Sequence, residues 1–280
     1  MRKLLFIIFL CFANLTFAQE CFTFDSRPVD CLNKWVILPQ NEDLSYSYGY
    51  VFFDEEFNLI FQKEGTFEIE YECYRSVTKL KKPVKTTIEP SNTLVAVISE
   101  DNFSDFEISN DSPSLKNIKK AKENAETFFR LGYLYNEWGE SDKALEQLLK
   151  AQEKNPKVAG LDRELAFTYN SLGNYDEAIK ILYELKKKYP KDAYIYREMV
   201  FALAKTGKLK EAVSNFRHAV SVCKDKKYNG ENILNIVYAA FMEKDEKTFF
   251  QWVKKSKQLN KNSEKALNLI TQMEDSMRGK

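Results

Sequence analysis

Residues 165–190, LAFTYNSLGNYDEAIKILYELKKKYP, specify the architecture of the second half of the chain. Apolar residues in this stretch recur every three or four positions, which is the period of an amphipathic helix. Gly173 interrupts the pattern and Pro190 ends it. The stretch therefore predicts two helices joined by a tight turn, with the glycine leaving the first helix in a left-handed conformation.

The same pattern repeats on either side of this stretch. Gly139, Gly173 and Gly207 are separated by 34 residues. Other positions keep this spacing, namely Ala144, Ala178 and Ala212; Leu131, Leu165 and Met199; Leu148, Leu182 and Phe216; Ala151, Leu185 and Ala219. A weaker fourth unit follows after 37 residues, with Lys244 at the glycine position and Phe249 at the alanine position. A fixed period of this length predicts a stack of helical pairs.

The repeat resembles the tetratricopeptide repeat over about residues 125–260. The residues that support the resemblance are Leu131, Gly132, Tyr135, Gly139, Ala144, Pro156, Leu165, Tyr169, Gly173, Tyr175, Ala178 and Pro190. The resemblance implies an all-α superhelix over residues 117–260, with units at about 125–158, 159–192, 193–229 and 230–260. An apolar stripe at Ala266, Leu269, Ile270 and Met273 predicts a capping helix within residues 261–280.

Residues 19–107 predict a different class, an all-β, sandwich-like domain. Aromatic and β-branched residues alternate there with polar ones, most clearly from Thr66 to Cys73 and from Tyr46 to Phe53. The second stretch and Asn58–Gln62 flank the acidic turn residues 54–56, which predicts a hairpin. Residues 108–116 are rich in Ser, Asn, Asp and Pro and predict a linker between the two domains.

The N-terminus has the pattern of a secretory signal peptide. Arg2 and Lys3 precede an unbroken apolar run, and Thr16–Ala18 places small residues at a cleavage site. We expect residues 1–18 to be removed after Ala18, which would place the mature protein in the periplasm or outside the cell. An uncleaved anchor is the alternative, but the apolar run is shorter than the ~20 residues that span a bilayer. No later apolar run is long enough, so we expect no integral membrane span in the mature chain.

Composition argues against several classes of function. The 42 basic and 41 acidic residues give a net charge of +1, so no strong field favours nucleic acid. A single histidine, His218, argues against a metal site. No arrangement of nucleophile, base and acid emerges from the sequence, so we expect a protein without catalytic residues, cofactor or metal.

Four cysteines remain after signal removal. Three of them, Cys21, Cys31 and Cys73, lie in the β-half, and Cys223 lies among the repeats. Export permits disulfides, and we expect one in the β-half, preferably Cys31 to Cys73 or Cys21 to Cys31. The alternative is that all four are small buried apolar residues.

One face of the first helix in each unit is the candidate binding surface. The resemblance implies that this face lines a concave groove that receives an extended peptide or a helix of a partner protein. The candidate groove residues are Phe129, Tyr133, Asn136, Arg163, Phe167, Asn170, Arg197, Phe201 and Tyr238. The two arginines would favour an acidic or C-terminal segment. The alternative is that the aromatic residues only pack against the neighbouring unit.

A second candidate site lies in the β-half. Tyr46, Tyr48 and Tyr50 share one face of a predicted strand, and an exposed face would form a stacking platform for glycans. A buried face would simply be core, which we favour. The sequence thus predicts a protein-binding scaffold of the cell envelope, with a glycan-recognising envelope protein as the alternative.

Overall fold

The computed structural model describes residues 21–56, 58–69, 75–108 and 123–279. The chain divides into two compact units, residues 1–130 and residues 131–280. The predicted signal peptide at 1–18 lies outside the described residues, as does nearly all of the predicted linker at 108–116. Both stay predictions.

The described part of the first unit contains one antiparallel sheet. Its strands are β1 (Lys34–Ile37), β2 (Tyr46–Phe53), β3 (Leu59–Ile69), β4 (Arg75–Thr87) and β5 (Ala96–Val97). Their order is β4-β3-β2-β1-β5. The all-β class predicted for this half is confirmed, and the described strands form one sheet instead of two facing sheets.

The acidic turn between β2 and β3 forms the predicted hairpin. Phe53 pairs with Leu59 across the turn. The Asp54 carboxylate accepts hydrogen bonds from the backbone N–H groups of Glu56 and Asn58, at 2.9 and 2.8 Å. This is the usual way in which an aspartate stabilises a turn through its own side chain.

Strand β3 continues through a region where the sequence predicted two strands. The register of β3 against β4 shifts between Lys63 and Gly65, which marks a bulge. A Cβ atom at Gly65 would lie 2.5 Å from the carbonyl oxygen of Thr78 and 2.7 Å from Cε1 of Tyr48. Glycine therefore lets the strand bend while the neighbouring chain and the tyrosine ring approach closely. Tyr71 and Cys73, at the end of the predicted second strand, lie outside the described residues.

Segments outside the strands cover the sheet. All eight residues of β2 are buried, on both faces of the strand. The tyrosine face packs with Phe22 and Phe106, and Phe103 adds a partly buried ring. These rings come from the chain before β1 and from the short 3-10 turns after β5. They take the place that a second sheet has in a sandwich.

Strand β4 lies at one edge of the sheet and contains the basic run Lys79–Lys82. Its side chains from Lys81 to Thr87 are exposed. Lys79 donates to the backbone carbonyl of Glu107 at 2.7 Å and pairs with its carboxylate at 3.2 Å. Lysines together with Pro83 on an edge strand discourage pairing with other chains, so this run needs no nucleic-acid partner to explain it.

The residues from 125 onward form nine α-helices within the described part of the chain. They are α1 (Ala125–Glu137), α2 (Ser141–Lys154), α3 (Leu161–Ser171), α4 (Tyr175–Lys188), α5 (Ala193–Lys205), α6 (Leu209–Val222), α7 (Asn229–Met242), α8 (Glu246–Leu259) and α9 (Glu264–Met277). The all-α class predicted for the second half is confirmed. None of the described helices is long and apolar enough to cross a membrane.

The turn glycines adopt the conformation predicted for them. Gly139, Gly173 and Gly207 have φ angles of +73°, +77° and +70°. Lys244 takes the same role in the fourth unit at φ +56°. The left-handed conformation is unfavourable for residues with a Cβ atom. The fourth turn therefore holds a lysine in a conformation that lysine seldom adopts.

The small alanines let paired helices approach closely. Ala144, Ala178 and Ala212 are completely buried in α2, α4 and α6. At the corresponding place in α8 the chain has Phe249, which is also completely buried. The fourth pair therefore accommodates a large ring where the others have a methyl group.

The helices alternate between two roles in the stack. We term α1, α3, α5 and α7 the A helices and α2, α4, α6 and α8 the B helices. Successive A helices from α3 to α7 pack on one another, whereas successive B helices contact each other less. The array therefore curves towards its A helices, and we term this concave side the A-helix face. Helix α9 packs on α7 and α8 at the end of the stack.

Candidate functional site

Arg163, a predicted groove residue, pairs with a carboxylate of its own chain. Its guanidinium Nη1 donates to Asp192 Oδ2 at 2.7 Å. The guanidinium also lies over the ring of Tyr194, 4.7 Å from the ring centroid. Arg163 is on α3, whereas Asp192 is the N-cap of α5. The arginine thus connects two consecutive A helices.

Arg197 has the same kind of role one unit later. Its Nε atom donates to both carboxylate oxygens of Glu231, at 2.9 and 3.0 Å, and its Nη1 atom donates to Glu198 at 2.8 Å. The guanidinium lies 5.6 and 5.5 Å from the ring centroids of Tyr194 and Tyr228. Arg197 therefore connects α5 to α7.

The two arginines and two tyrosines form a continuous stack, which we term the arginine–tyrosine stack: Arg163, Tyr194, Arg197 and Tyr228. Burial, together with the carboxylates of Glu198 and Glu164, raises the pKa of the Tyr194 hydroxyl. Both guanidinium groups have carboxylate partners within the array. Their predicted attraction for an acidic segment of a partner stays a prediction.

The predicted groove residues Asn136 and Asn170 are buried between A helices. Asn136 Nδ2 donates to Glu164 Oε2 at 3.1 Å and to Thr168 Oγ1 at 2.9 Å. Asn170 Nδ2 donates to Glu198 Oε2 at 2.8 Å. Each asparagine thus bonds to the glutamate 28 residues further on, in the next unit. We term these two pairs the asparagine–glutamate contacts. They make the asparagines links between repeats.

The aromatic row lies on the A-helix face and is half-buried. It consists of Tyr133, Phe167, Phe201 and Tyr238. Phe201 meets the ring of Tyr175 edge to face, with centroids 5.9 Å apart. The rings therefore pack partly within the array and keep part of their surface open to solvent. Phe129, the remaining predicted groove residue, is half-buried near the start of α1, in the part of that helix that belongs to the first unit.

Two residues that the sequence analysis did not single out adjoin this row. Lys205 Nζ lies 5.6 Å from the ring centroid of Phe201 and 5.0 Å from that of Tyr238. Met242, at the end of α7, is 61% exposed. Each lies four residues after a member of the row, one helical turn further on. That spacing was present in the sequence and could have identified both.

The candidate glycan platform is buried core, which is the alternative that the sequence favoured. Tyr46, Tyr48 and Tyr50 are only 3%, 0% and 6% exposed, so their rings cannot stack on a sugar. Tyr46 stacks on Phe67 with centroids 5.2 Å apart, and Tyr48 lies 5.2 Å from Phe106. Burial raises the pKa of the Tyr48 hydroxyl to about 12. The tyrosine face is core, because segments outside the sheet cover it.

The cysteines also differ from the preferred pairings. Cys31 is free and completely buried in the 3-10 turn Pro28–Cys31. Both preferred pairings included it, so both are wrong. Burial raises the pKa of its thiol to about 11, which leaves it unreactive. Cys21 is disulfide-bonded, Cys223 is free and buried, and Cys73 lies outside the described residues.

The described residues contain no group of three or more His, Cys, Asp or Glu side chains placed to hold a metal ion. His218 is exposed on α6, with its ring 5.7 Å from that of Tyr196. Its surroundings are those of a solvated surface residue.

Family models identify the repeats. A model described as tetratricopeptide repeat matches residues 125–157, and a second model with the same description matches residues 164–192. No curated protein matches the chain significantly.

Several solved structures share the helical architecture. MamA MSR-1 is 21% identical, with 58% of this chain and 90% of that chain covered and a TM-score of 0.45. MamA AMB-1 is 20% identical, with coverages of 49% and 78% and a TM-score of 0.42. A tetratricopeptide repeat protein from Parabacteroides merdae is 18% identical, with coverages of 62% and 62% and a TM-score of 0.42. Likenesses this distant indicate no function.

Proposed function

Because residues 125–157 and 164–192 are tetratricopeptide repeats, we propose that this protein is a non-enzymatic scaffold that holds a peptide or helix of a partner protein on its A-helix face. One observation supports this most strongly. The aromatic row is half-buried along the concave side and continues into Met242, which is 61% exposed. A row of partly exposed aromatic rings along one concave face is typical of a surface that binds a partner.

Contacts between consecutive A helices favour a preformed binding surface. The asparagine–glutamate contacts and the arginine–tyrosine stack fix consecutive A helices relative to one another. A preformed surface loses little conformational entropy when a ligand binds, which favours affinity.

We place this scaffold in the cell envelope or outside the cell. The sequence of residues 1–18 supports export. The disulfide of Cys21 is a second support, since disulfides persist in oxidising compartments. Sequencing the N-terminus of the protein purified from its native cells tests the proposal. Export with cleavage predicts a chain that begins at Gln19, whereas a chain that begins at Met1 contradicts cleavage.

Site-specific photo-crosslinking in native cells tests the scaffold proposal. A photoreactive residue replaces Met242 on the A-helix face in one variant, and Leu149 on α2 in the control. Leu149 is 41% exposed and lies on a B helix. We expect a discrete protein adduct with the probe at position 242 and none, or a much weaker one, at position 149. Equal adducts at both positions, or none at position 242, would contradict the proposal.

A further inference from the structure

Lys205, unlike the two arginines of the A-helix face, has no carboxylate partner among the described residues. Arg163 pairs with Asp192, and Arg197 pairs with Glu198 and Glu231. Within the described part of the chain, Lys205 forms no ion pair, and its side chain is exposed. No carboxylate of the described residues lies within ion-pair distance of its ammonium group.

Two aromatic rings lie beside this charge. The Nζ atom of Lys205 lies near the faces of Phe201 on α5 and Tyr238 on α7. A cation over ring faces is attracted by their negative quadrupoles. Lys205 also lies in the last turn of α5, where the partial negative charge of the helix end favours a cation. The ammonium group is thus held between two A helices, with solvent on its outer side.

Aromatic rings lie beside the ammonium group. The rings of Phe201 and Tyr238 are half-buried. Met242, at the end of α7, is 61% exposed. A ligand that covers this region meets the two rings, the Met242 side chain and the positive charge of Lys205.

From this arrangement we infer that the partner segment presents one aspartate or glutamate between apolar side chains, with the carboxylate bound by Lys205. The apolar side chains lie on Phe201, Tyr238 and Met242. This inference rests on the proposed function and specifies the chemistry of the partner. One acidic residue suffices for this contact, because carboxylates of the chain already pair with both arginines.

Selection from a library of short random peptides displayed on phage tests the inference. The immobilised full chain is compared with Lys205→Glu and with the matched control Lys210→Glu, which changes an exposed lysine on α6. We expect the unmodified chain and Lys210→Glu to enrich peptides with an acidic residue between apolar residues. We expect Lys205→Glu to enrich peptides with Lys or Arg at that place.

Binding of one selected peptide then measures the charge dependence. We expect Lys205→Glu to weaken the acidic peptide at least about tenfold, which corresponds to about 1.4 kcal/mol. We expect the same peptide with Lys in place of its acidic residue to recover affinity for Lys205→Glu. The neutral variant Lys205→Met should bind both peptides with similar affinity.

The outcomes separate this inference from the proposed function. The inference is overturned if the enriched peptides lack an acidic residue, or if Lys205→Glu keeps the preference for acidic peptides. The scaffold proposal stands in both cases. The inference is also overturned if the selected peptides lose affinity only for the Arg163→Ala and Arg197→Ala variants. The arginines would then be the residues that bind the acidic side chain. Failure of every variant to enrich any peptide overturns both.

Discussion

Tyr48 is the residue whose substitution most directly tests the assignment of the tyrosine face to the core. It is completely buried, and its hydroxyl has no hydrogen-bond partner within the described residues. We expect Tyr48→Ala to lower the free energy of unfolding by about 3–5 kcal/mol, because it leaves a large cavity. We expect Tyr48→Phe to change it by less than about 1 kcal/mol, since the lost hydroxyl leaves no group unpaired.

Urea unfolding followed by circular dichroism measures both variants. A small effect of Tyr48→Ala would contradict the assignment of this face to the core. A large loss for Tyr48→Phe would show that the hydroxyl contributes a bond in solution.

Several residue roles could not be predicted from the sequence, because they depend on distant partners. Alternation identified β2 with its observed bounds, but alternation alone does not say which face is covered, and here Phe22 and Phe106 cover it. Likewise, Arg163 and Arg197 occupied predicted groove positions, yet their carboxylate partners Asp192 and Glu231 lie 29 and 34 residues away. Neither carboxylate belonged to the aromatic pattern that suggested the groove.

At the level of the secondary-structure element, the turn before α8 has an unfavourable residue. Lys244 has a φ angle of +56°, a conformation that costs residues other than glycine about 1–2 kcal/mol. We expect Lys244→Gly to raise the free energy of unfolding of the helical half by about 1 kcal/mol. Gly173→Ala is the matched control and should lower it by a similar amount, because a Cβ atom there meets nothing within 4 Å and only the backbone conformation is affected. Thermal and urea unfolding measure both, and a destabilised Lys244→Gly variant would contradict the role assigned to this turn.

The buried glutamates Glu164 and Glu198 predict a pH dependence of the stability of the helix stack. Burial raises the pKa of Glu164 and Glu198 above the ordinary value of 4.5, although the hydrogen bonds from Asn136 and Asn170 oppose this. Between 4.5 and the raised values the folded chain binds more protons than the unfolded chain, so lowering the pH through this window stabilises the fold. The contribution is lost again as the pH rises through the folded-state pKa values.

The double variant Glu164→Gln, Glu198→Gln removes this contribution. As the pH falls from neutral towards 4.5, the unmodified chain should gain stability relative to the variant. The control exchanges the exposed glutamates Glu177 and Glu184 on α4 for glutamine and should show no such relative change. Parallel curves for the unmodified chain and the double variant in urea unfolding at several pH values would contradict the assigned burial.

The helices were more predictable than the contacts between them. Spacing placed the turn glycines and the small alanines correctly, because each acts within its own helical pair. The asparagine–glutamate contacts join residues 28 positions apart in different units. The 34-residue period relates equivalent positions of successive units, whereas these contacts join non-equivalent positions, so the period alone does not predict them.

On the scale of the whole molecule, the chain combines an all-β unit with a helical array whose concave side is formed by A helices. The array ends in α9, where Ile270 and Met273 are buried against the preceding helices. Ser263 caps this helix by accepting a hydrogen bond from the backbone N–H of Ala266 at 3.3 Å. The apolar surface left on the A-helix face therefore belongs to the side of the array and not to its open end.

Hydroxyl-radical footprinting of the full chain, with and without the partner captured by crosslinking, tests the central claim most directly. Oxidation of Phe201, Tyr238 and Met242 on the A-helix face should fall when the partner is present. Oxidation of Tyr183 and Leu149, which are 37% and 41% exposed on B helices, should stay unchanged. The claim that the A-helix face holds the partner would be contradicted if the partner protected the B-helix residues while Phe201, Tyr238 and Met242 were oxidised at their original rates.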